Sequence, residues 1–136
     1  MRASADISRL DLRLAAAPES LAMVRKRIAA FTARHGIADP GDVALAVTEA
    51  ATNAVLHAYR DGAAGTMRVV ACAEPTGLVV VVRDYGVGMQ PNPLSPGAGL
   101  GLSVIGAVAE EMNVERPADG GTRIRIRFAL SPAVAA

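Results

Sequence analysis

Apolar and polar residues alternate from Ile7 to Leu14 (Ile-Ser-Arg-Leu-Asp-Leu-Arg-Leu), the period of a strand with one buried face. The period then lengthens. Leu21, Val24, Ile28 and Phe31 recur at helical spacing, which predicts a helix from Pro18 and Glu19 to about His35, with Gly36 as its stop. Asp39 and Pro40 suit the N-cap and first position of a second helix, predicted to run through Val43, Ala46 and Val47 to about Tyr59. Two strands are predicted next, Thr66–Glu74 and Leu78–Asp84, joined in a hairpin by the three-residue loop Pro75-Thr76-Gly77. Leu78-Val79-Val80-Val81-Val82 lacks polar alternation and reads as a strand buried on both faces or central in the sheet. After it, Gly86 to Gly101 is rich in Gly and Pro and reads as loop at least to Pro96. A third helix is predicted over Leu100–Met112, then strands near Val114 and at Thr122–Leu130 around a turn at Asp119-Gly120-Gly121.

Hairpins interrupted by helices predict an α+β fold: a two-layer sandwich with a mixed, mostly antiparallel sheet covered on one face by helices. The irregular strand–helix order excludes a doubly wound parallel sheet. At 136 residues the chain reads as one domain, 1–136, with Ser131–Ala136 as a frayed tail.

Composition narrows the function. A net charge of +1 and 3% aromatic residues argue against a nucleic-acid-binding surface with stacking platforms. Cys72 is the sole cysteine and reads as a small buried hydrophobe in a strand, which leaves no intramolecular disulfide and fits a reducing cytoplasm. No apolar run approaches the roughly 20 residues of a membrane span, and Met1–Leu14 has no apolar signal-peptide core. The expected location is the cytoplasm.

Polar residues where a structural element needs none carry the chemistry. Glu49, Asn53 and His57 recur every four residues along an otherwise apolar helix, forming one stripe. A carboxylate and a carboxamide one turn apart can serve as proton acceptor and hard oxygen ligand, although a polar edge on a surface helix would look the same. Asp84-Tyr85-Gly86-Val87-Gly88 follows the buried valine run. A carboxylate there is costly to desolvate without a partner and could accept a hydrogen bond from an exocyclic amine; a tight turn with a capping Asp is the plainer reading. Gly97-Ala98-Gly99-Leu100-Gly101-Leu102 runs into a helix, where free backbone N–H groups and the helix dipole suit phosphate, although a flexible glycine-rich linker would look the same. Gly120-Gly121-Thr122 precedes Arg123-Ile124-Arg125-Ile126-Arg127, whose arginines read as a solvated strand face.

Other nucleotide and metal motifs are excluded. The single lysine, Lys26, lies between two arginines in a helix, not in a Walker A loop. Neither glycine cluster spells Gly-x-Gly-x-x-Gly in a βαβ unit, and one Cys with two His cannot build a zinc site.

In order and spacing, Glu49-x-x-x-Asn53, Asp84-x-Gly86-x-Gly88, Gly97-x-Gly99-Leu100-Gly101-Leu102 and Gly121-Thr122 resemble the N, G1, G2 and G3 boxes of the GHKL ATPase superfamily, covering nearly the whole chain. Its length and Asn53-Ala54-Val55-Leu56-His57-Ala58-Tyr59 resemble the bacterial anti-sigma factors that are also serine kinases. The resemblance implies a histidine-kinase-like ATPase fold, ATP and Mg2+ as ligands, and a sigma factor and an anti-anti-sigma (STAS-domain) protein as partners, with neither nucleic acid nor membrane bound directly. It implies that Asn53 coordinates Mg2+ at the phosphates, that Asp84 binds the adenine amine with Gly86 and Gly88 shaping its pocket, and that Gly97, Gly99, Gly101 and Leu102 line the triphosphate. Thr122 would close the adenine side. Glu49 would be the catalytic base on the substrate serine, while His57 has no settled role in the pattern. The alternating N-terminal strand is a candidate homodimer edge. One departure stands out: Met89–Pro96, the expected lid, carries three prolines and no Arg or Lys to clamp the γ-phosphate. That departure also suits a nucleotide-binding anti-sigma or scaffold module without phosphotransfer.

Overall fold

The N-terminal alternation becomes an edge strand, β1 (Arg9–Ala15), that buries Leu12 fully and Leu10 and Leu14 in part. The computed structural model describes residues 9–36, 38–58, 65–86 and 105–129, with backbone only at 57 and 58. Helix α1 (Ser20–His35) turns Val24, Ile28 and Phe31 inward. Gly36 ends it in the left-handed conformation (φ 61°), its N–H donating to the Thr32 carbonyl, as the sequence led us to expect. Helix α2 (Pro40–Asn53) starts as predicted: the Asp39 carboxylate accepts from the Asp42 N–H at 3.0 Å, with Pro40 in the first turn.

The remaining strands are β2 (Thr66–Glu74), β3 (Gly77–Asp84), β4 (Glu111–Glu115) and β5 (Thr122–Ala129). They form one five-stranded sheet in the order β1-β2-β3-β5-β4, antiparallel at every pairing. One face of the sheet supplies Leu12, Met67, Val69, Ala71, Leu78, Val80, Val82, Ile124, Ile126 and Phe128 to a single core. That core is shared with Val24, Ile28 and Phe31 of α1 and Val43, Val47 and Ala50 of α2. This is the predicted α+β two-layer arrangement, with the valine-rich strand at its centre.

Four local expectations change. First, the β2–β3 loop is two residues, Pro75 and Thr76. Gly77 pairs with Glu74, and a Cβ on Gly77 would overlap the Phe128 carbonyl of β5, so only glycine lets the strands close there. Second, the third helix does not reach Met112. Residues 105–108 are helical and β4 begins at Glu111, because Met112 and Val114 pair with Ile126 and Ile124 at the sheet edge. Third, the α-helical spacing of α2 ends at Asn53. Ala54–Ala58 continue the chain as a π-helical turn, so the α-helical spacing assumed for the stripe stops short of His57. Fourth, Cys72 is only half-buried. It faces away from the core on the open face, beside Arg9 of β1 and Val79 of β3. On that face Val79 is buried and Val81 partly so, leaving the valine strand less covered there than on its helix side.

Candidate functional site

At the end of α2 the helix carries small residues around one amide. Ala50, Asn53 and Ala54 face Val82 and Asp84 of β3 and Thr122 and Ile124 of β5 across a recess with about 250 Å³ of empty space, its mouth included. The sheet register brings the two polar strand residues together, since Asp84 and Thr122 are direct partners on β3 and β5. All three polar side chains are withdrawn from water: Asn53 is 7% exposed, Asp84 6% and Thr122 2%. Three residues distant in sequence, two with ordinarily solvated side chains, thus meet at one end of an apolar core.

Their hydrogen bonding is uneven. One Asp84 oxygen (Oδ1) accepts from the Gly86 N–H at 3.1 Å, closing a tight turn just past the strand. Burial pushes the Asp84 carboxyl above its ordinary value of 3.8, opposed by hydrogen bonds from the backbone of Gly86 and Thr122 and by the charge of Arg83. The Asn53 amide nitrogen is buried with no partner; among the described residues only the Thr48 hydroxyl, also on α2, shares that condition. A buried N–H without an acceptor costs roughly 1–3 kcal/mol, so Asn53 is kept at a loss unless something else occupies the recess. The donor set fits a nucleotide and its metal: the amide nitrogen can donate to a phosphate oxygen, and the amide oxygen is a hard ligand.

Glycine completes the strand end. Gly120 and Gly121 have φ of 97° and 80°, and a Cβ on Gly121 would overlap the Asp84 carbonyl. The turn therefore lies directly against the backbone of Asp84, a contact that only glycine permits.

Of the predicted site residues, Asn53, Asp84 and Thr122 line the recess, and Gly86 holds the Asp84 carboxylate. Glu49 lies one turn before Asn53, half-buried, and is not among the lining residues. Gly88, Gly97, Gly99, Gly101, Leu102 and the lid segment fall outside the described residues. Sequence reading missed Ala50 and Ala54, whose small side chains leave room beside Asn53; the alanines flanking the polar stripe were the available signal.

Comparison with known proteins decides the family. Residues 14–128 match the model of the histidine kinase-like ATPase domain. The chain belongs to that family. Relatives of this histidine kinase-like ATPase domain include the anti-sigma F factor of Clostridium acetobutylicum, 28% identical over 90% of this chain and 96% of that protein. The anti-sigma F factor of Pasteuria penetrans is 30% identical over 88% and 89%. Among solved structures, the histidine kinase domain of the Erythrobacter litoralis EL346 blue-light activated histidine kinase superposes with a TM-score of 0.58 at 26% identity. That likeness covers 85% of this chain and 63% of that one. No helix among the described residues is long and apolar enough to cross a membrane.

Proposed function

We propose that this protein is a cytoplasmic, ATP- and Mg2+-dependent anti-sigma factor that also phosphorylates a serine of an anti-anti-sigma (STAS-domain) antagonist, controlling transcription by partner switching. The observation that carries the reading is the pairing, in one recess, of a buried carboxylate with a buried amide whose donor has no partner. In this reading Asp84 accepts from the exocyclic amine of adenine, with Gly86 and Gly88 shaping its turn and Thr122 beside it closing the adenine side. Asn53 would hold Mg2+ through its amide oxygen, and Gly97, Gly99, Gly101 and Leu102 would wrap the phosphates. Mg2+ supplies charge neutralisation at the phosphates and would be shared with them, since no three His, Cys, Asp or Glu among the described residues cluster to hold a metal alone.

Glu49 is the proposed base. As the substrate serine Oγ bonds to the γ-phosphorus, the bridging P–O bond to the β-phosphate breaks, ADP leaves, and Glu49 takes the hydroxyl proton. The phosphoserine then carries roughly −1.5 to −2 charges, enough to break the antagonist's docking by repulsion. Support for the sigma-factor partner comes from relatives named anti-sigma F factor, which this chain matches along 96% and 89% of their length.

The test is transfer from labelled ATP and Mg2+ to the serine of an anti-anti-sigma protein encoded nearby. Glu49→Ala should lower transfer by roughly 10²- to 10⁴-fold while ATP still binds. One observation favours a second reading, a nucleotide-binding anti-sigma or scaffold module without phosphotransfer: Met89–Pro96 carries no Arg or Lys for the γ-phosphate. ATP binding with no transfer to any cognate antagonist would select it.

A further inference from the structure

Arg83 is the penultimate residue of β3, on the side away from the recess, one residue before Asp84. Its position calls for an outward, solvated side chain, yet that side chain is only 13% exposed. The guanidinium is held at four points. Its Nε donates to the Asp84 carbonyl at 3.2 Å, and Nη2 donates to the Asp119 carboxylate at 3.0 Å and the Gly120 carbonyl at 3.1 Å. The guanidinium carbon also lies over Tyr85, 4.7 Å from the ring centre.

These contacts join two separate pieces of chain. One is the strand end carrying Asp84; the other is the Asp119–Gly121 turn that leads into Thr122. Gly121 packs against the Asp84 carbonyl, the same oxygen that Arg83 engages. The Asp84–Thr122 pairing on the strand wall of the recess is thus fixed twice, by glycine contact and by the guanidinium fork. We propose that Arg83 is a positioning residue for base recognition: from behind the sheet it locks the Asp119–Gly121 turn onto the Asp84 backbone and so sets how sharply the recess selects an adenine amine. The inference rests on the nucleotide reading of the recess. It adds a residue that touches no ligand and has no place in the four sequence boxes.

Arginine suits this task and lysine does not. A rigid, planar fork can donate at once to a carboxylate and to two carbonyls on different segments while resting over an aromatic ring, which a single ammonium point charge does not reproduce. Because the effect runs through Asp84, it should appear in discrimination between bases more than in overall stability.

The experiment compares binding of ATP and of purine riboside triphosphate, which lacks only the exocyclic amine, by titration calorimetry on the full chain. Wild type should prefer ATP by about tenfold or more. Arg83→Gln and Arg83→Lys should both bring that ratio to within about threefold of unity. Asp119→Asn, whose 75%-exposed side chain lies in a surface turn and cannot disturb the core, should lower the ratio in the same direction. Combined with Arg83→Gln it should add little, since the two residues act as one contact. A wild type that binds ATP yet shows no preference would overturn the adenine assignment and this inference together. A wild-type preference retained in full by folded Arg83→Lys and by Asp119→Asn would overturn the inference alone, leaving Arg83 a structural residue. Equal weakening of both nucleotides would do the same.

Discussion

The two faces of the sheet treat charge in opposite ways. On the open face, arginines line up across four strands, Arg13, Arg68, Arg83 and Arg123 in direct register. Like charges so placed repel, and carboxylates are interleaved among them. Arg68 meets Asp11, Arg83 meets Asp119, Arg123 meets Glu115, and Arg127 meets both Glu74 and Glu110. The helix-covered face is apolar row after row until its last, where Met67, Asp84 and Thr122 stand side by side and Asn53 looks across at them. There the carboxylate is desolvated without a cationic partner inside the recess, and the amide donor has no partner at all. Charge that is matched and wet maintains a fold. Polarity that is buried and unmatched costs stability, a cost that a ligand in the recess would offset.

The strongest way to break this contrast is at the turn behind the recess. Gly121→Ala places a Cβ against the Asp84 carbonyl at a φ of 80° and should cost about 3 kcal/mol or more in urea unfolding. Gly120→Ala shares the unfavourable φ, 97°, but meets open space, and should cost only about 1–2 kcal/mol. Equal costs at the two glycines would show that the close approach to Asp84 is not a constraint.

Asp84 separates function from stability. Asp84→Ala should lose roughly 1–3 kcal/mol of ATP affinity, about 5- to 150-fold, by removing a buried acceptor; unchanged affinity by calorimetry would sink the adenine role. Asp84→Asn should bind ATP poorly and yet unfold later at neutral pH, by about 1 kcal/mol, because no charge is then buried. The sign follows from the raised carboxyl. The folded state binds the proton more readily than the unfolded state, so wild type gains on Asp84→Asn as pH falls from neutral toward the ordinary value of 3.8. A gap that widens on acidification would contradict the burial argument.

Most of the fold was legible because its signals are local. Alternation marked β1, Asp39-Pro40 marked the start of α2, and Gly36 marked the end of α1. The misread boundaries depended on partners far away in sequence. Met112 continues a helical pattern until Ile126 offers a strand partner, and nothing local announces that the helix turns π-helical after Asn53. Asn53, Asp84 and Thr122 were readable as a group only through their order along the chain. Arg83 was not readable at all, since its meaning depends on a turn 36 residues later folding over the back of its own strand.

The smallest expected effect tests whether the two faces are independent. Asp11 holds Arg68 through two hydrogen bonds, 3.0 and 2.6 Å, and Arg68 in turn interacts with Tyr85, the ring over which the Arg83 guanidinium lies. A chain of contacts thus leads from the sheet edge to the back of the recess. Arg68 lowers the Asp11 carboxyl below its ordinary 3.8, so whatever stability the pair gives is present above that value and lost as pH falls through the lowered one. Both side chains are near 30% exposed, and salt should erase the contribution. Arg83 has its own anchor in Asp119, so Asp11→Asn should leave ATP affinity and base preference within about twofold of wild type. A larger loss would mean that the matched face reports to the unmatched one, and that a partner docking on the outer arginines could tune nucleotide binding through Tyr85.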